Sequence, residues 1–350
     1  MIMTEHDFLD IASQKILILD GPMGTMIQNE KLDETDFRGS IKRKYDVPIK
    51  GNNDFLNLSK PDLICDIHMK YLEAGADIIE TNTFNSTKIS QKDYTCEDIS
   101  YQLNYEGAKI ARKAVESYRQ KYSNLPKFIA GVIGPTNQTC SMSPDVNRPE
   151  FRNIQFDELK KDYLLSIQGL LDGGSDLIMV ETIFDTLNAK AALMAIYELE
   201  LSLKKKINTM ISATITDLSG RTLSGQTLEA FYNSIIHSNP ISVGLNCALG
   251  SKDLDPHIKE LNKFCQPLIS VHANAGLPNA FGEYDETPKD MADYAGKWSS
   301  NGLLNIIGGC CGSTPEHIFE IKKATEKFNP RKIHKKDDQF RLSGLEPFNL

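Results

Sequence analysis

Two adjacent cysteines, Cys310 and Cys311, stand between glycines in the stretch NIIGGCCGSTPEH, residues 305–317. A third cysteine, Cys247, ends a separate apolar run, ISVGLNC. A disulfide between adjacent cysteines closes a strained ring, so two interpretations remain open: cysteines that pack as small hydrophobic residues, or thiolate ligands of a metal. Three thiolates from two separated segments fit a catalytic zinc site, because such a site keeps its fourth position open for an exchangeable ligand.

The charge of such a site indicates its chemistry. Zinc lowers the pKa of a bound thiol, so that the thiol binds as a thiolate near neutral pH. Three protein thiolates already outweigh the two positive charges of the metal, and a fourth sulfur therefore stays electron-rich and nucleophilic. This arrangement favours alkylation of a substrate thiol, whereas hydrolysis needs a stronger Lewis acid. We expect the three cysteines to be catalytic as well as metal-binding residues.

Acidic residues that end three other apolar runs indicate which molecule carries the thiol. Asp20, Glu80 and Glu181 would bind an ammonium group, with helix capping or a solvated loop as the alternative for each. Backbone N–H groups in DGPMGTM, at the start of the following helix, would bind a carboxylate. An amino acid with a thiol side chain has both groups. The predicted substrate-binding residues are Asp20, Gly21, Met23, Gly24, Thr25, Glu80, Thr81, Glu181 and Asn246.

Eight apolar or β-branched runs alternate with longer segments of helical periodicity. Continuous apolar runs of this length are typical of parallel strands that are buried on both faces. Eight of them predict an α/β fold, the (β/α)8 TIM barrel, over residues 1–330. Two capping boxes, Ser59 with Asp62 and Ser313 with Glu316, mark predicted helix starts. The runs are KILILDG, ADIIETN, KFIAGVIG, SDLIMVE, NTMISATI, ISVGLNC, PLISVHAN and LLNIIGG.

In a TIM barrel the catalytic groups lie where the strands end and the following loops begin. The cysteines and carboxylates end predicted strands, so we expect them to meet at one mouth, with the zinc site at the C-terminal ends of the strands. The seventh run ends in Asn274. We hypothesise that this amide occupies or caps the open zinc position before substrate binds, with Asn246 as the second choice. The alternative for Asn274 is a turn residue before Gly276.

The composition disfavours some partners. A net charge of −8 argues against nucleic acids and anionic membranes, because both bind basic surfaces. No apolar run reaches the roughly 18 residues of a membrane span, and the first residues lack the pattern of a secretory signal. We therefore expect a cytoplasmic protein with reduced thiols. The other cysteines, which we expect to pack as small hydrophobic residues, are Cys65, Cys96, Cys140 and Cys265.

Six motifs, several of them described above, show a resemblance to a known family. The chain resembles the zinc-dependent homocysteine S-methyltransferases, and within them the N-terminal homocysteine-binding module of cobalamin-dependent methionine synthases. The motifs shared with the whole family are LDGPMGTMIQ, GADIIETNTFNST, GVIGPTN, VETIFDTLNAK, GLNCALG and GGCCGSTPEHI. The segments that favour the cobalamin branch are FRG, KGNNDFLNLSKPDLI, SPDVNRPEFRNI, RTLSGQTLEAFYNS and NAGLPNAFGEYD.

The resemblance implies a ligand set and a methyl donor. Zinc would be held by Cys247, Cys310 and Cys311, with the homocysteine sulfur as the exchangeable ligand. Asp20, Glu181 and the loop after the first strand would hold the amino-acid end. The methyl group would come from methylcobalamin, itself recharged by methyltetrahydrofolate on another module. The product would be methionine.

Partners and alternatives follow from the same resemblance. Residues 331–350 lose the strand and helix pattern, and RLSGLEPFNL resembles the start of a folate-binding module, so we predict a linker there. Cobalamin-binding and folate-binding modules, in cis or as a separate subunit, are the expected partners. Two other functions stay open: a homocysteine-binding module without turnover of its own, and a methyltransferase that uses betaine or S-methylmethionine directly. Pro22 departs from the family pattern and removes one N–H donor near the substrate carboxylate.

Overall fold

Eight parallel strands form one barrel in the computed structural model, which describes residues 5–41, 47–122, 126–216, 219–279, 284–334 and 339–350. The strands are hydrogen-bonded in the order β1-β8-β7-β6-β5-β4-β3-β2, and a parallel bridge between Leu19 and Ile78 joins the first strand to the second. The predicted (β/α)8 barrel is confirmed. The strands are β1 (Leu17–Ile18), β2 (Ile78–Glu80), β3 (Phe128–Ile133), β4 (Leu177–Ile183), β5 (Thr209–Ala213), β6 (Ser242–Gly250), β7 (Leu268–Asn274) and β8 (Ile306–Gly309).

Helices surround the barrel, because each strand is buried on both faces and needs an apolar cover on its outer side. The helices are α1 (Glu5–Gln14), α2 (Met23–Asn29), α3 (Glu34–Arg38), α4 (Leu56–Ser59), α5 (Pro61–Ala74), α6 (Lys88–Gln91), α7 (Ser100–Lys121), α8 (Phe156–Asp172), α9 (Thr186–Leu203), α10 (Leu228–Ile235), α11 (Ser251–Phe264), α12 (Pro288–Ser300) and α13 (Pro315–Thr325). Short 3₁₀ turns span Asn53–Phe55, Lys92–Tyr94, Glu97–Ile99 and Ile236–Ser238.

The N-terminal end of the barrel is closed by α1. Phe8 of this helix packs edge-on against Phe128 of β3, with ring centroids 4.8 Å apart. Both rings belong to a buried apolar cluster that also contains Leu17 and Met210, from the starts of β1 and β5. This end is therefore a packed core, and the polar strand ends are left at the opposite mouth.

Both capping-box predictions are wrong. Helix α13 is capped by Thr314, which pairs with His317, one residue after the predicted Ser313. Helix α5 begins after Lys60, and the Ser59 hydroxyl donates instead to the carbonyl of Phe55. Proline prefers the first helical position, so the capping residue is the one immediately before it.

The predicted linker contains a small antiparallel hairpin, β9 (Arg341–Ser343) and β10 (Pro347–Asn349). The hairpin lies on α10, where the Asn233 side chain donates to the Leu342 carbonyl at 3.0 Å and to the Asn349 side chain at 2.8 Å. That this segment leads to a folate-binding module stays a prediction. Within the described ranges, no helix is long and apolar enough to cross a membrane.

Candidate active site

Three cysteine sulfurs meet at the C-terminal mouth of the barrel. Cys247 lies in the last part of β6, and Cys310 and Cys311 follow directly after β8. The Cys311 sulfur is 3.9 Å from that of Cys247 and 4.0 Å from that of Cys310. Sulfurs bound tetrahedrally to one zinc at about 2.3 Å lie ~3.8 Å apart, so the spacing fits this metal. All three residues are half-buried, which leaves one side of the sulfur triangle accessible to a ligand.

The adjacent cysteines share one side because they lie in a turn rather than in the strand. Successive residues of a strand point to opposite faces. After Gly309 the Cys310 N–H donates to the Ala273 carbonyl at 2.7 Å, and the Cys311 carbonyl accepts from Ala275 at 2.9 Å. Gly312 then turns the chain with a φ of +83°. Glycine adopts this angle without strain, so the chain leaves the strand at once and both thiols reach the same cavity.

Cys247 is redirected by an irregularity in β6. The register between β6 and β7 shifts between Asn246 and Gly250. Within this bulge Cys247 has a φ of +60° and Ala248 a φ of +55°. Left-handed angles cost an L-residue roughly 1–2 kcal/mol, and such strain concentrates at functional sites. The bulge turns the Cys247 side chain toward the cysteine pair that follows β8.

The thiols share their protons when no metal is bound. The thiols of Cys247 and Cys310 donate hydrogen bonds to the Cys311 sulfur and lower its pKa to about 3. The same type of contact, first with Cys247 and then with Cys311, raises the pKa of Cys310 well above its usual value. The contacts among the thiols therefore favour the thiolate form of Cys311, and a divalent metal would take the place of the protons on its neighbours.

Three carboxyl groups form a second cluster beside the thiols. Asp20 accepts a hydrogen bond from the Glu80 N–H at 3.0 Å, while one oxygen each of Asp20 and Glu80 is buried without a partner in the described structure. Burial, followed by repulsion from Cys311, raises the pKa of Glu181 to about 8. Burial and the neighbouring carboxylates also raise the pKa of Asp20 and of Glu80 well above the usual range. A ligand with a positive charge would stabilise their ionised forms.

His272 of β7 lies next to these carboxyl groups. Its Nδ1 is 3.7 Å from Glu80 Oε1, too far for a hydrogen bond. Burial lowers the pKa of His272 to about 3, so the imidazole is neutral and adds no counter-charge. The carboxyl cluster thus lacks a histidine cation of its own.

A cavity of about 250 Å³ connects the thiols with the carboxyl groups. The predicted substrate-binding residues that line it are Met23, Gly24, Thr25, Glu80, Thr81 and Glu181, together with Cys247, Cys310 and Cys311. Asp20, Gly21, Asn246 and Asn274 do not line it. Residues of the segments after β1 and β2 also line the cavity, among them Asn53, Asp54, Asn82, Phe84 and Asn85. One cavity therefore brings three thiols together with the carboxyl groups of Glu80 and Glu181.

Residues 17–325 match the family model described as homocysteine S-methyltransferase. The chain belongs to this family. The fold is also similar to structures of the homocysteine methyltransferase MmuM from Escherichia coli. The oxidized form has 21% sequence identity and a TM-score of 0.70, and the match covers 90% of this chain and 98% of that one. The metallated form has the same identity and TM-score, with coverage of 91% of this chain and 99% of that one. The apo form has a TM-score of 0.64 at the same identity, with coverage of 90% and 98%.

The predicted residues of this homocysteine S-methyltransferase that lie outside the cavity wall have other contacts. A side chain at Gly21 would lie 2.9 Å from the Tyr71 ring, so this glycine permits close packing. Pro22, by contrast, lies in the cavity wall, and its carbonyl accepts a hydrogen bond from the Tyr71 hydroxyl at 3.1 Å. Asn274 is buried at the end of β7, and its Oδ1 has no hydrogen-bond partner among the described residues. Its role as a zinc ligand stays a prediction.

Tyr284 and Asp54 are cavity residues that were not predicted from the sequence. A side-chain carbon on Gly312 would lie 2.3 Å from the Tyr284 ring, so the ring packs directly on this glycine. Burial and the Cys311 thiolate raise the pKa of Tyr284 to about 12, which keeps the hydroxyl protonated and able to donate to the Cys311 sulfur. Both residues lie in segments that resemble the cobalamin branch, NAGLPNAFGEYD and KGNNDFLN, and that resemblance was the available signal.

Proposed function

We propose that this methyltransferase holds one zinc ion with Cys247, Cys310 and Cys311 and binds the homocysteine sulfur at the fourth position. The sulfur spacing of 3.9 Å and 4.0 Å carries the proposal, because it matches tetrahedral zinc. Bound zinc would lower the pKa of the substrate thiol and keep the sulfur nucleophilic. A metallated form of MmuM, which has a similar fold, supports a metal in this barrel.

The carboxyl cluster would bind the homocysteine ammonium group. Glu80 and Glu181 line the same cavity as the thiols, and Asp20 lies behind them with an unpaired oxygen. An ammonium at this place gives the buried carboxylates the cation that their surroundings lack. The backbone N–H groups at the start of α2, from Met23 to Thr25, would receive the carboxylate end. This orientation directs the substrate sulfur toward Cys247 and the cysteine pair.

The methyl donor in our proposal is methylcobalamin, carried by a cobalamin-binding module in cis or on a separate subunit and recharged on a folate-binding module. The support is the set of segments that resemble the cobalamin branch. One of them, KGNNDFLN, supplies Asn53 and Asp54 to the cavity wall. A donor would approach the substrate sulfur along this side of the cavity. The product is methionine.

Metal analysis and substrate binding test the proposal together. We expect about one zinc per chain and homocysteine binding that requires it, with release of about one proton from the thiol at neutral pH. The proton appears as a heat of binding that depends on the ionisation enthalpy of the buffer. A metal-free chain that binds homocysteine equally well would contradict the zinc assignment.

The donor is tested by methionine formation from homocysteine and free methylcobalamin, with betaine and S-methylmethionine as parallel reactions. We expect methionine only with methylcobalamin. Turnover with betaine or S-methylmethionine would contradict the cobalamin assignment, and homocysteine binding without methionine from any donor would indicate a binding module.

A further inference from the structure

The side chain of Asn246 connects the strand that carries Glu181 to the strand that carries Cys247. Its Nδ2 donates to Glu181 Oε2 at 2.9 Å and to Thr182 Oγ1 at 2.7 Å, and its Oδ1 accepts from the Thr182 N–H at 3.0 Å. The side chain is fully buried and does not line the cavity. Both ends of the amide are thus committed to β4, and Asn246 acts through its neighbours.

On β4 the amide supports a strained residue. Thr182 has a φ of +53°, an outlier for a β-branched residue, and the register between β4 and β5 shifts between Val180 and Ile183. A bulge removes a backbone N–H from the ladder, and a buried N–H without a partner is costly. Asn246 accepts that N–H. It also binds one oxygen of Glu181, the residue immediately before the strained position.

On β6 the backbone of Asn246 is held just before the metal-ligand bulge. Its carbonyl accepts the Thr214 hydroxyl at 2.7 Å. The next residue is Cys247, the first of two consecutive left-handed residues. The side chain and the carbonyl of Asn246 are thus both held by hydrogen bonds, and this fixed residue immediately precedes Cys247.

We propose that Asn246 is a positioning residue that sets the separation between the Glu181 carboxylate and the Cys247 sulfur, and so selects homocysteine over cysteine. The inference rests on the proposed function, in which Glu181 binds the ammonium and the metal binds the sulfur. The two amino acids differ by one methylene between those groups. If Glu181 and the metal are held at one separation, only one of the two amino acids has the length that reaches both. A missing methylene typically changes the discrimination between two such ligands by about 10–200-fold.

The test compares homocysteine and cysteine as ligands of the zinc-loaded protein by calorimetric titration. We expect the wild-type protein to bind homocysteine at least about tenfold more tightly than cysteine. In Asn246→Ala we expect that ratio to fall at least about fivefold, because homocysteine loses affinity while cysteine changes little. Zinc content, measured in parallel, should stay near one per chain.

Two further variants separate positioning from folding. Asn104→Ala removes a buried asparagine of α7 that donates to the Ser86 and Ser100 carbonyls, so it should lower the melting temperature and leave the ratio unchanged. Lys204→Gly relieves a left-handed residue, with a φ of +51°, at the exposed C-terminal end of α9, and Lys204 does not line the cavity. The double variant Asn246→Ala/Lys204→Gly should therefore regain part of the melting temperature lost in Asn246→Ala without regaining the ratio, and it carries the test if Asn246→Ala alone does not fold.

Two outcomes would overturn the inference and are distinguishable. An equal loss of affinity for both thiols, with an unchanged ratio in the single and double variants, would show that Asn246 has only a structural role while the proposed function stands. A zinc-loaded wild-type protein that binds neither thiol would overturn the proposed function, and the inference with it.

Discussion

The sulfur atoms of Cys247, Cys310 and Cys311 converge at the mouth of the barrel although two of these residues are neighbours in sequence. Cys310 and Cys311 lie in a turn closed by Gly312, and Cys247 lies in a bulge. The remaining cysteines are buried away from the cluster, with packing environments on helices and loops. The local backbone, rather than the residue type alone, thus distinguishes the candidate ligands from the other cysteines.

Single replacement of Cys247, Cys310 or Cys311 by alanine should lower zinc affinity by more than about 100-fold, because even outer contacts of metal ligands contribute 10–100-fold. Homocysteine binding should be lost together with the metal. The measurement is zinc content after dialysis against a weak chelator. Cys65→Ala, at a buried cysteine of α5, is the control and should keep its zinc. Full zinc retention in all three ligand variants would contradict the assignment.

The raised pKa of Glu181, about 8, predicts how stability depends on pH. The folded ligand-free protein keeps a proton on this carboxyl that the unfolded chain releases near pH 4.5, so stability falls as the pH rises from about 4.5 to 8. Glu181→Gln removes this loss. We expect the variant to melt at a higher temperature than wild type at pH 8, with little difference at pH 5.

Thermal unfolding at both pH values measures this effect. Glu97→Gln changes an exposed glutamate and is the control. If the melting temperatures of Glu181→Gln and wild type differed by the same amount at pH 5 and at pH 8, the Glu181 carboxyl would have the same pKa in the folded and the unfolded protein.

At the scale of elements, the site depends on irregularities in two strands rather than on regular strands. The register shift in β4 includes Glu181, and the register shift in β6 includes Cys247. A regular strand alternates its side chains between the barrel interior and the helix layer, whereas a bulge redirects one of them. The capping residues of α5 and α13 illustrate the same limit of local patterns, because the proline position and not the serine determined where each helix starts.

Ala248→Gly tests the strain in the β6 bulge. Alanine at a φ of +55° costs roughly 1–2 kcal/mol, and glycine removes that cost but loses about 0.5–1 kcal/mol of chain entropy on folding. We expect a net gain of about 0.5–1 kcal/mol in the free energy of unfolding, measured by urea denaturation. Ala324→Gly, in the ordinary helical backbone of α13, should instead lose about 1 kcal/mol. A loss in both variants would contradict the strain.

At the scale of the whole molecule, a metal would connect parts of the barrel that hydrogen bonds do not join directly. β6 and β8 are separated by β7 in the sheet order, and the three sulfurs come only from β6 and the turn after β8. The opposite end of the barrel is closed by α1 and its apolar cluster. The molecule thus combines a packed N-terminal end with a C-terminal mouth that is lined by thiols and carboxyl groups.

Removal of zinc should therefore destabilise the whole barrel. A ligand present at a thousandfold excess over its Kd adds about 4 kcal/mol to the free energy of unfolding. For a chain of this size we expect a strong chelator to lower the melting temperature by roughly 5–10 °C. Cys247→Ala is the control and should melt at one temperature with or without the chelator. An unchanged wild-type melting curve would show that the metal adds no stability.

The sequence by itself determined the barrel and the residues at its mouth. Strand burial and helical periodicity depend on near neighbours in the chain, and parallel strands necessarily bring their C-terminal ends to one side. The eight apolar runs therefore predicted eight strands, and the polar residues at their ends predicted which side chains share the mouth.

Only the tertiary structure decided which of those residues line the cavity and which contact other residues behind it. Asn246 and Glu181 are 65 positions apart, and the hydrogen bond between their side chains holds Asn246 behind the cavity wall, where the sequence had predicted a direct substrate contact. Tyr284 reaches the cavity because Gly312 leaves space for its ring, and the hairpin of residues 341–349 is held by α10, more than a hundred positions earlier. Such contacts depend on distances between segments that no local pattern records, since they exist only once the barrel has closed.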